Sequence, residues 1–249
     1  MEKQVPDRVL KGKRCIFCES NKTYRLADGR IRCKECGKKY SLSKLKKDLE
    51  VLHYFCLELS ANKTARLLHL DYGAVRSRYM MFREKIAEHS RDNFKRLSGE
   101  LEIDETYFGG RRKGKRGRGA FNKVVVLGIL ERNGRVFTKI VPNVKAPTLM
   151  REIEEKTEKG SVYYTDCFKS YKSLKQYGKH NKINHQKTFG KGHNYINGLE
   201  GFWSFAKERF QKYHGINKNN YELYVKEMEF RYNHRNSNIF NELLKIIYK

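Results

Sequence analysis

Residues 101–109, LEIDETYFG, decide the fold class together with the two apolar runs that follow, 122–132 (NKVVVLGILER) and 135–141 (RVFTKIV). The first alternates polar and apolar side chains, the two-residue period of a strand. The second is a nearly unbroken apolar run, as expected of a strand covered on both faces. Asn133-Gly134 stands between the second run and the third. Such a pair between apolar runs marks a hairpin, because the tightest turns need positive φ. Three antiparallel strands are therefore expected. Pro147 then opens a helix that carries Leu149 and Ile153 on one side and stops at Gly160. SVYYTD (161–166) reads as a further strand, and 198–212 and 219–232 as helices. The fold class is α/β.

Upstream, Cys15-x2-Cys18 and Cys33-x2-Cys36 are separated by ESNKTYRLADGRIR, which carries a turn at Asp28-Gly29 between short strand-like pieces. Each knuckle can offer two thiolates, and two knuckles complete a tetrahedral zinc site. A closed four-sulfur shell leaves no open position, so the ion is expected to be structural. Residues 45–59, LKKDLEVLHYFCLEL, place Leu45, Leu49, Leu52, Phe55 and Leu59 on broadly one side of a helix. NKTARLLHL (62–70), a turn near Asp71–Gly73 and AVRSRYMMFREKIAEH (74–89) read as a helix-turn-helix. In it Ala65 is the small residue between the helices, Val75 a core contact, and Arg76 and Arg78 the candidates to face DNA. His69 stands where glycine is common.

The charge balance points to a polyanion. The chain has 249 residues, with 54 Lys+Arg against 28 Asp+Glu, a formal net charge of +26. That excess strains the compact state, and binding nucleic acid relieves it while releasing counterions. The longest uncharged apolar run is Val124–Leu130, far short of the roughly 20 residues of a membrane helix. The first residues, MEKQVPDRVLKGKRC, carry charge instead of an apolar signal core. An intracellular protein with reduced cysteines is expected. RRKGKRGRG (111–119) adds Arg111, Arg112, Lys113, Lys115, Arg116 and Arg118 with no acid. A glycine-spaced basic loop of this kind can follow a phosphate backbone.

Three acids stand out: Asp104 in the first strand, Asp166 at the end of SVYYTD, and Glu200 near the start of a helix in NGLEGFWSFAKERF (197–210). Strand alternation puts Glu102 on the face of Asp104 and Glu105 on the other, so Glu105 is the weaker rival. Lys207 lies seven residues after Glu200, almost two helical turns on, and shares its face. Trp203 is expected in the core. His193 and Asn197 are open to two readings, approach to the acids or capping of the helix.

In these stretches the chain resembles the DDE transposases of the ribonuclease H-like superfamily. It is most similar to the insertion-sequence transposases with an N-terminal zinc ribbon, relatives of Merlin transposons. The matching residues are Ile103-Asp104-Glu105-Thr106 with FGG following, Tyr164-Thr165-Asp166, His193-x3-Asn197-Gly198-x-Glu200-Gly201-Phe202-Trp203-Ser204, and EFRYNHR (229–235). The resemblance implies a zinc ribbon over 1–42, a helix-turn-helix region over 43–95, and a ribonuclease H-like catalytic domain over 98–249. It also implies that Asp104 bridges two Mg²⁺ (or Mn²⁺) ions while Asp166 and Glu200 hold one each, and that Lys207 contacts DNA near the cut. The short apolar runs leave no membrane partner expected, while terminal inverted repeats and target DNA as double-stranded partners and a homodimer or larger synaptic oligomer follow from the same likeness. So does a bacterial cytoplasm, at the nucleoid, or a nucleus if the source is eukaryotic. A DNA-binding regulator that has lost transposition and a structure-specific nuclease of the same fold are the alternatives.

Overall fold

A computed structural model describes residues 7–109, 123–132, 134–183, 196–213 and 215–248. The chain divides into two units, Met1–His89 with His234–Lys249, and Ser90–Asn233. The basic stretch 111–118, Asn133 and His193 lie outside the described residues.

In the first unit a short helix α1 (Asp7–Leu10) precedes a three-stranded antiparallel sheet, β1 (Thr23–Arg25), β2 (Ile31–Cys33) and β3 (Lys39–Tyr40). The β1–β2 hairpin turns at Asp28-Gly29, where Gly29 takes φ +81° and Asp28 Oδ1 accepts the Arg30 N–H at 3.0 Å. Helices α2 (Leu42–Cys56), α3 (Ala61–Leu68) and α4 (Tyr72–Asp92) follow. Ser41 and Ser60 cap α2 and α3 by accepting N–H groups from Lys44 and Lys63, which satisfies donors that the first helical turn leaves without partners.

Helix α2 buries Leu45, Leu49, Leu52 and Phe55, with Val51 beside them, while Leu59 lies past its end. Phe55, Tyr79 and Phe82 form an edge-to-face cluster, and Tyr79 shares a 2.8 Å hydrogen bond with Thr64. Ala65 and Val75 are buried as expected. The turn between α3 and α4 falls at His69–Asp71, slightly earlier than its sequence placement. His69 takes φ +50°, the left-handed position that glycine favours. Helix α8 (Ile239–Ile247) buries Phe240 and Leu243, with Phe240 against His53 of α2. Its apolar face thus brings residues 234–249, which sequence grouped with the catalytic part, into the first unit.

The second unit is built on a five-stranded sheet of order β6-β5-β4-β7-β8. Strands β4 (Glu100–Phe108), β5 (Val124–Glu131) and β6 (Val136–Val141) are antiparallel neighbours. Strands β7 (Val162–Asp166) and β8 (Lys179–Ile183) run parallel to β4. Helix α5 (Ala146–Lys156) and a 3-10 segment, Lys169–Gln176, complete one face with Leu149, Ile153, Tyr171 and Leu174 packed on Leu101, Ile103 and Tyr163. α5 stops at Thr157, before Gly160, as Thr157 turns extended and its hydroxyl donates to the Ile153 carbonyl. Helices α6 (Asn197–Gln211) and α7 (Tyr221–Asn233) contribute Leu199, Phe202, Trp203, Val225 and Met228 to a second cluster, with Phe108, Val126 and Leu130 of the sheet. The run Val126–Leu130 is buried throughout, because β5 is central and covered on both faces.

Strand β6 is a sheet edge whose outward N–H and C=O groups need partners. Helix α7 supplies them. Glu229 Oε2 accepts the Thr138 N–H at 2.7 Å and its hydroxyl at 2.6 Å. Lys226 Nζ donates to the Thr138 carbonyl at 2.8 Å and to Glu229 at 2.6 Å. The Asn233 amide accepts from the Val136 N–H and donates to the Val136 carbonyl, as a neighbouring strand would. The EFRYNHR stretch therefore seals this edge. Replacing Glu229 with Ala leaves the Lys226 charge and the Thr138 N–H buried without their acceptor, and we expect a loss of about 3–5 kcal/mol. Urea unfolding followed by the fluorescence of Trp203, the single tryptophan, measures it. A loss below about 1 kcal/mol would contradict the edge-sealing role.

Candidate metal centres and active site

The ribbon's four thiols converge. Cys15 Sγ lies 3.7 Å from Cys36 Sγ, and Cys18 Sγ 3.5 Å from Cys33 Sγ. All four sulfurs lie within 4.8 Å of one another. A tetrahedral zinc with bonds of roughly 2.3 Å requires sulfurs about 3.8 Å apart, so the donor set fits a structural zinc. Each knuckle is closed by an N–H returning to its first cysteine carbonyl, from Glu19 at 3.0 Å and from Gly37 at 3.1 Å. Both closing residues take positive φ, +60° and +71°. Glycine meets that demand freely, whereas Glu19 is held by Arg14, which donates to its carbonyl at 2.8 Å and its carboxylate at 2.9 Å.

Register brings the first two acids of the second unit together. β4 pairs with β7 as Glu100↔Val162, Leu101↔Tyr163 and Glu102↔Tyr164, an offset of 162 − 100 = 62. Continued two residues past its last pair, the same offset would set Asp166 opposite Asp104. On the other flank Asp104 is paired with Gly128 of β5. Glu200 lies in the first turn of α6, exposed, and Lys207 is exposed on the same helix. The charges reinforce one another. Burial raises the Asp104 carboxyl, and Asp166 and Glu200 raise it further, while the Glu105 N–H and the Trp203 indole lower it; the result is about 6. Asp166 Oδ1 accepts the Phe168 N–H at 2.9 Å, which turns the chain at the strand end. Asp104, Asp166 and Glu200 offer hard oxygen donors suited to a divalent cation. Among the described residues, the four cysteines alone form a group of three or more whose donor atoms all lie within 4.8 Å. Asp104, Asp166 and Glu200 do not form such a group.

The two rival acids have other partners. Glu105, on the opposite face, accepts the buried Tyr171 hydroxyl at 2.6 Å. Burial and that carboxylate push the Tyr171 hydroxyl far above its usual range. Glu102 is on the Asp104 face, as alternation requires, but is only 1 % exposed. Its Oε2 accepts the Leu199 N–H at 2.8 Å, and its Oε1 accepts from Arg132 Nε at 3.2 Å. Burial raises its carboxyl, opposed by Leu199, Arg132 and Gly198. Ile196, at the N-cap of α6, makes no side-chain cap. Glu102 does the capping from the sheet, and Asn197 is an exposed residue of the first turn.

Trp203 is buried, as expected, but it also donates its indole N–H to Asp104 Oδ2 at 3.1 Å. A Cβ at Gly128 would lie 2.5 Å from the Trp203 ring, so glycine opposite Asp104 gives the indole its place. Sequence reading missed this contact, and the lone glycine inside an apolar run was the signal for it. In the first unit Arg76 is exposed. Arg78 is paired with Asp48 at 2.5 Å and also donates to the Ala74 carbonyl, so it ties α4 to α2.

Two outcomes are expected. Mass spectrometry under non-denaturing conditions should find one zinc per chain, lost in a Cys33→Ser variant; retention of zinc by that variant would contradict a four-thiolate site. Asp104 binds its proton more tightly folded than unfolded, so its contribution to stability is present at low pH and is lost as pH rises through about 6. Metal-free Asp104→Asn should therefore exceed the wild type in Tm at pH 8 and approach it at pH 4.5. Equal Tm values at both pH values would remove the strain assigned to Asp104.

The described residues contain no helix long and apolar enough to cross a membrane. A family model described as the ISXO2-like transposase domain matches residues 96–233, close to the limits of the second unit. Over 110 residues the chain is 46 % identical to an uncharacterized transposase-like protein of Haemophilus influenzae, a stretch covering 44 % of this chain and 88 % of that protein. With more than half of its length matched by that family model, the chain belongs to the ISXO2-like transposase family.

Proposed function

We propose that the second unit is a ribonuclease H-like DDE catalytic domain that cuts and joins DNA. The observation that carries this reading is the placement of three acids on adjoining elements, Asp104 on β4, Asp166 at the end of β7 and Glu200 in the first turn of α6, which Leu199 and Trp203 hydrogen-bond to β4. Burial, Asp166 and Glu200 raise the Asp104 carboxyl to about 6. Such stored repulsion is relieved by divalent cations. The strand order, with helices on both faces, supports the fold assignment.

In this reading Asp104, Asp166 and Glu200 would together hold Mg²⁺ or Mn²⁺ ions, which would activate the attacking water or 3′-hydroxyl and stabilise the leaving oxygen. Trp203 donates to one Asp104 oxygen and so helps to fix that carboxylate. Lys207, exposed farther along α6, offers a cation to the phosphate backbone beside the cut.

The first unit is the DNA-binding part, a zinc ribbon over 1–42 and a helix-turn-helix over 43–95, directed at terminal inverted repeats. Arg76 supports the helical contact. On the ribbon the register Tyr24↔Arg32 and Arg32↔Lys39 lines up three exposed side chains across the sheet, with Lys34 Nζ 5.8 Å from the Tyr24 ring. That row offers cations and one aromatic face to nucleic acid. The basic stretch 111–118 belongs to the same reading, as do a synaptic dimer or larger oligomer and a place at the bacterial nucleoid.

A strand-transfer assay with Mg²⁺ and DNA from the element's ends tests the proposal. Cleavage and joining are expected, and Asp104→Asn, Asp166→Asn and Glu200→Gln should each lower both at least about a hundredfold, roughly 3 kcal/mol. Cleavage without joining would favour the nuclease alternative. Variants that match the wild type would overturn the catalytic assignment. Below pH about 6 protons compete with metal for Asp104, so activity should fall, and more Mg²⁺ should move that fall to lower pH.

A further inference from the structure

We propose that Glu102 is a positioning residue that sets the height of α6, and with it Glu200, above the strand carrying Asp104; this rests on the catalytic reading of those acids. An exposed helix N-terminus is ordinarily capped by the residue before it, and here that residue is Ile196, whose side chain has no acceptor. The acceptor comes instead from the neighbouring strand. Glu102 accepts the Leu199 N–H at 2.8 Å. Its negative charge also complements the positive end of the helix dipole. Leu199 immediately precedes Glu200, and Glu102 is two residues from Asp104 on the same strand face. One side chain therefore links the strand that carries Asp104 to the helix that carries Glu200.

Three neighbours make this link specific. Gly198 lets the helix approach: a Cβ there would lie 2.5 Å from Leu130 Cδ2 and 3.1 Å from Glu102 Oε2. Arg132, itself 9 % exposed, donates to Glu102 and Glu100 at 3.2 Å each and stacks on the Tyr164 ring at 3.6 Å. Tyr164 in turn donates to Glu100 at 3.0 Å. Arg132 thereby holds the Glu102 carboxylate in place, aimed at α6. Farther along the helix, the Trp203–Asp104 hydrogen bond is a second tie, so Glu200 is bracketed by ties at Leu199 and Trp203. Both oxygens of Glu102 are engaged, which leaves it a support for the metal site and not one of its ligands.

The test is Mn²⁺ affinity of the full chain by calorimetry, with unfolding followed alongside. Glu102→Ala should weaken Mn²⁺ binding about ten- to a hundredfold, the usual effect of removing a support behind a ligand, at temperatures where the chain is folded. Glu102→Gln keeps one acceptor oxygen and should recover part of the loss. Gly198→Ala, which leaves every carboxylate in place, should weaken binding in the same direction and serves if Glu102→Ala does not fold. In a Glu200→Gln background, Glu102→Ala should have little further effect, because it acts through Glu200. Lower Tm with unchanged Mn²⁺ affinity in both Glu102→Ala and Gly198→Ala, or full additivity with Glu200→Gln, would overturn the positioning role. If Asp104→Asn and Glu200→Gln themselves leave Mn²⁺ affinity unchanged, the metal-site reading fails instead.

Discussion

Helix α6 meets the sheet of the second unit at two places where side chains are missing, Gly128 in β5 and Gly198 in the helix itself. A Cβ at either would collide, with the Trp203 ring in one case and with Leu130 in the other. The close approach they permit is held by two hydrogen bonds, Leu199 to Glu102 and Trp203 to Asp104. Much of the site's geometry depends on this contact, because one partner carries Glu200 and Lys207 and the other carries Asp104. The same approach excludes water from Asp104, and desolvation is the largest cause of its raised pKa.

The remaining acid is placed by a different force. Asp166 ends β7, which pairs with β4 just before Asp104 in a register that aligns residues 62 apart. A one-residue slip would turn Asp166 to the Tyr171 face and separate the pair. Tyr163, buried against α5 and hydrogen-bonded to Thr157 at 2.9 Å, helps fix that register from the opposite face. Site and core are thus set by the same alternation of side chains.

Much of this was legible in the sequence where the determining signal is local. Cysteine spacing foretold the sulfur cluster, because two short knuckles bring the ligands together with little help from the rest of the chain. The alternation in 101–109 separated Glu102 from Glu105. The parallel strand β8 and the 3-10 segment before it were not legible: KSYKSLKQ has Tyr171 and Leu174 as its only buried anchors and otherwise reads as polar connection. Nor did sequence show that Glu102 caps a helix 97 residues away, since a cap is sought in the residue preceding its helix. The role of Glu229 and Asn233 was hidden for the same reason, as their partners are backbone groups of a distant edge strand. Trp203 was rightly placed in the core, but its hydrogen bond depends on Gly128, a neighbour only in the folded sheet.

The most direct measurement is anomalous diffraction from crystals of the protein grown with Mn²⁺ and DNA from the element's ends. Two peaks roughly 4 Å apart, with Asp104 between them and Asp166 and Glu200 on the outer sides, are the expected result. Mn²⁺ bound elsewhere with none at Asp104, while the DNA is seated and the acids are ordered, would contradict a shared metal site on this sheet.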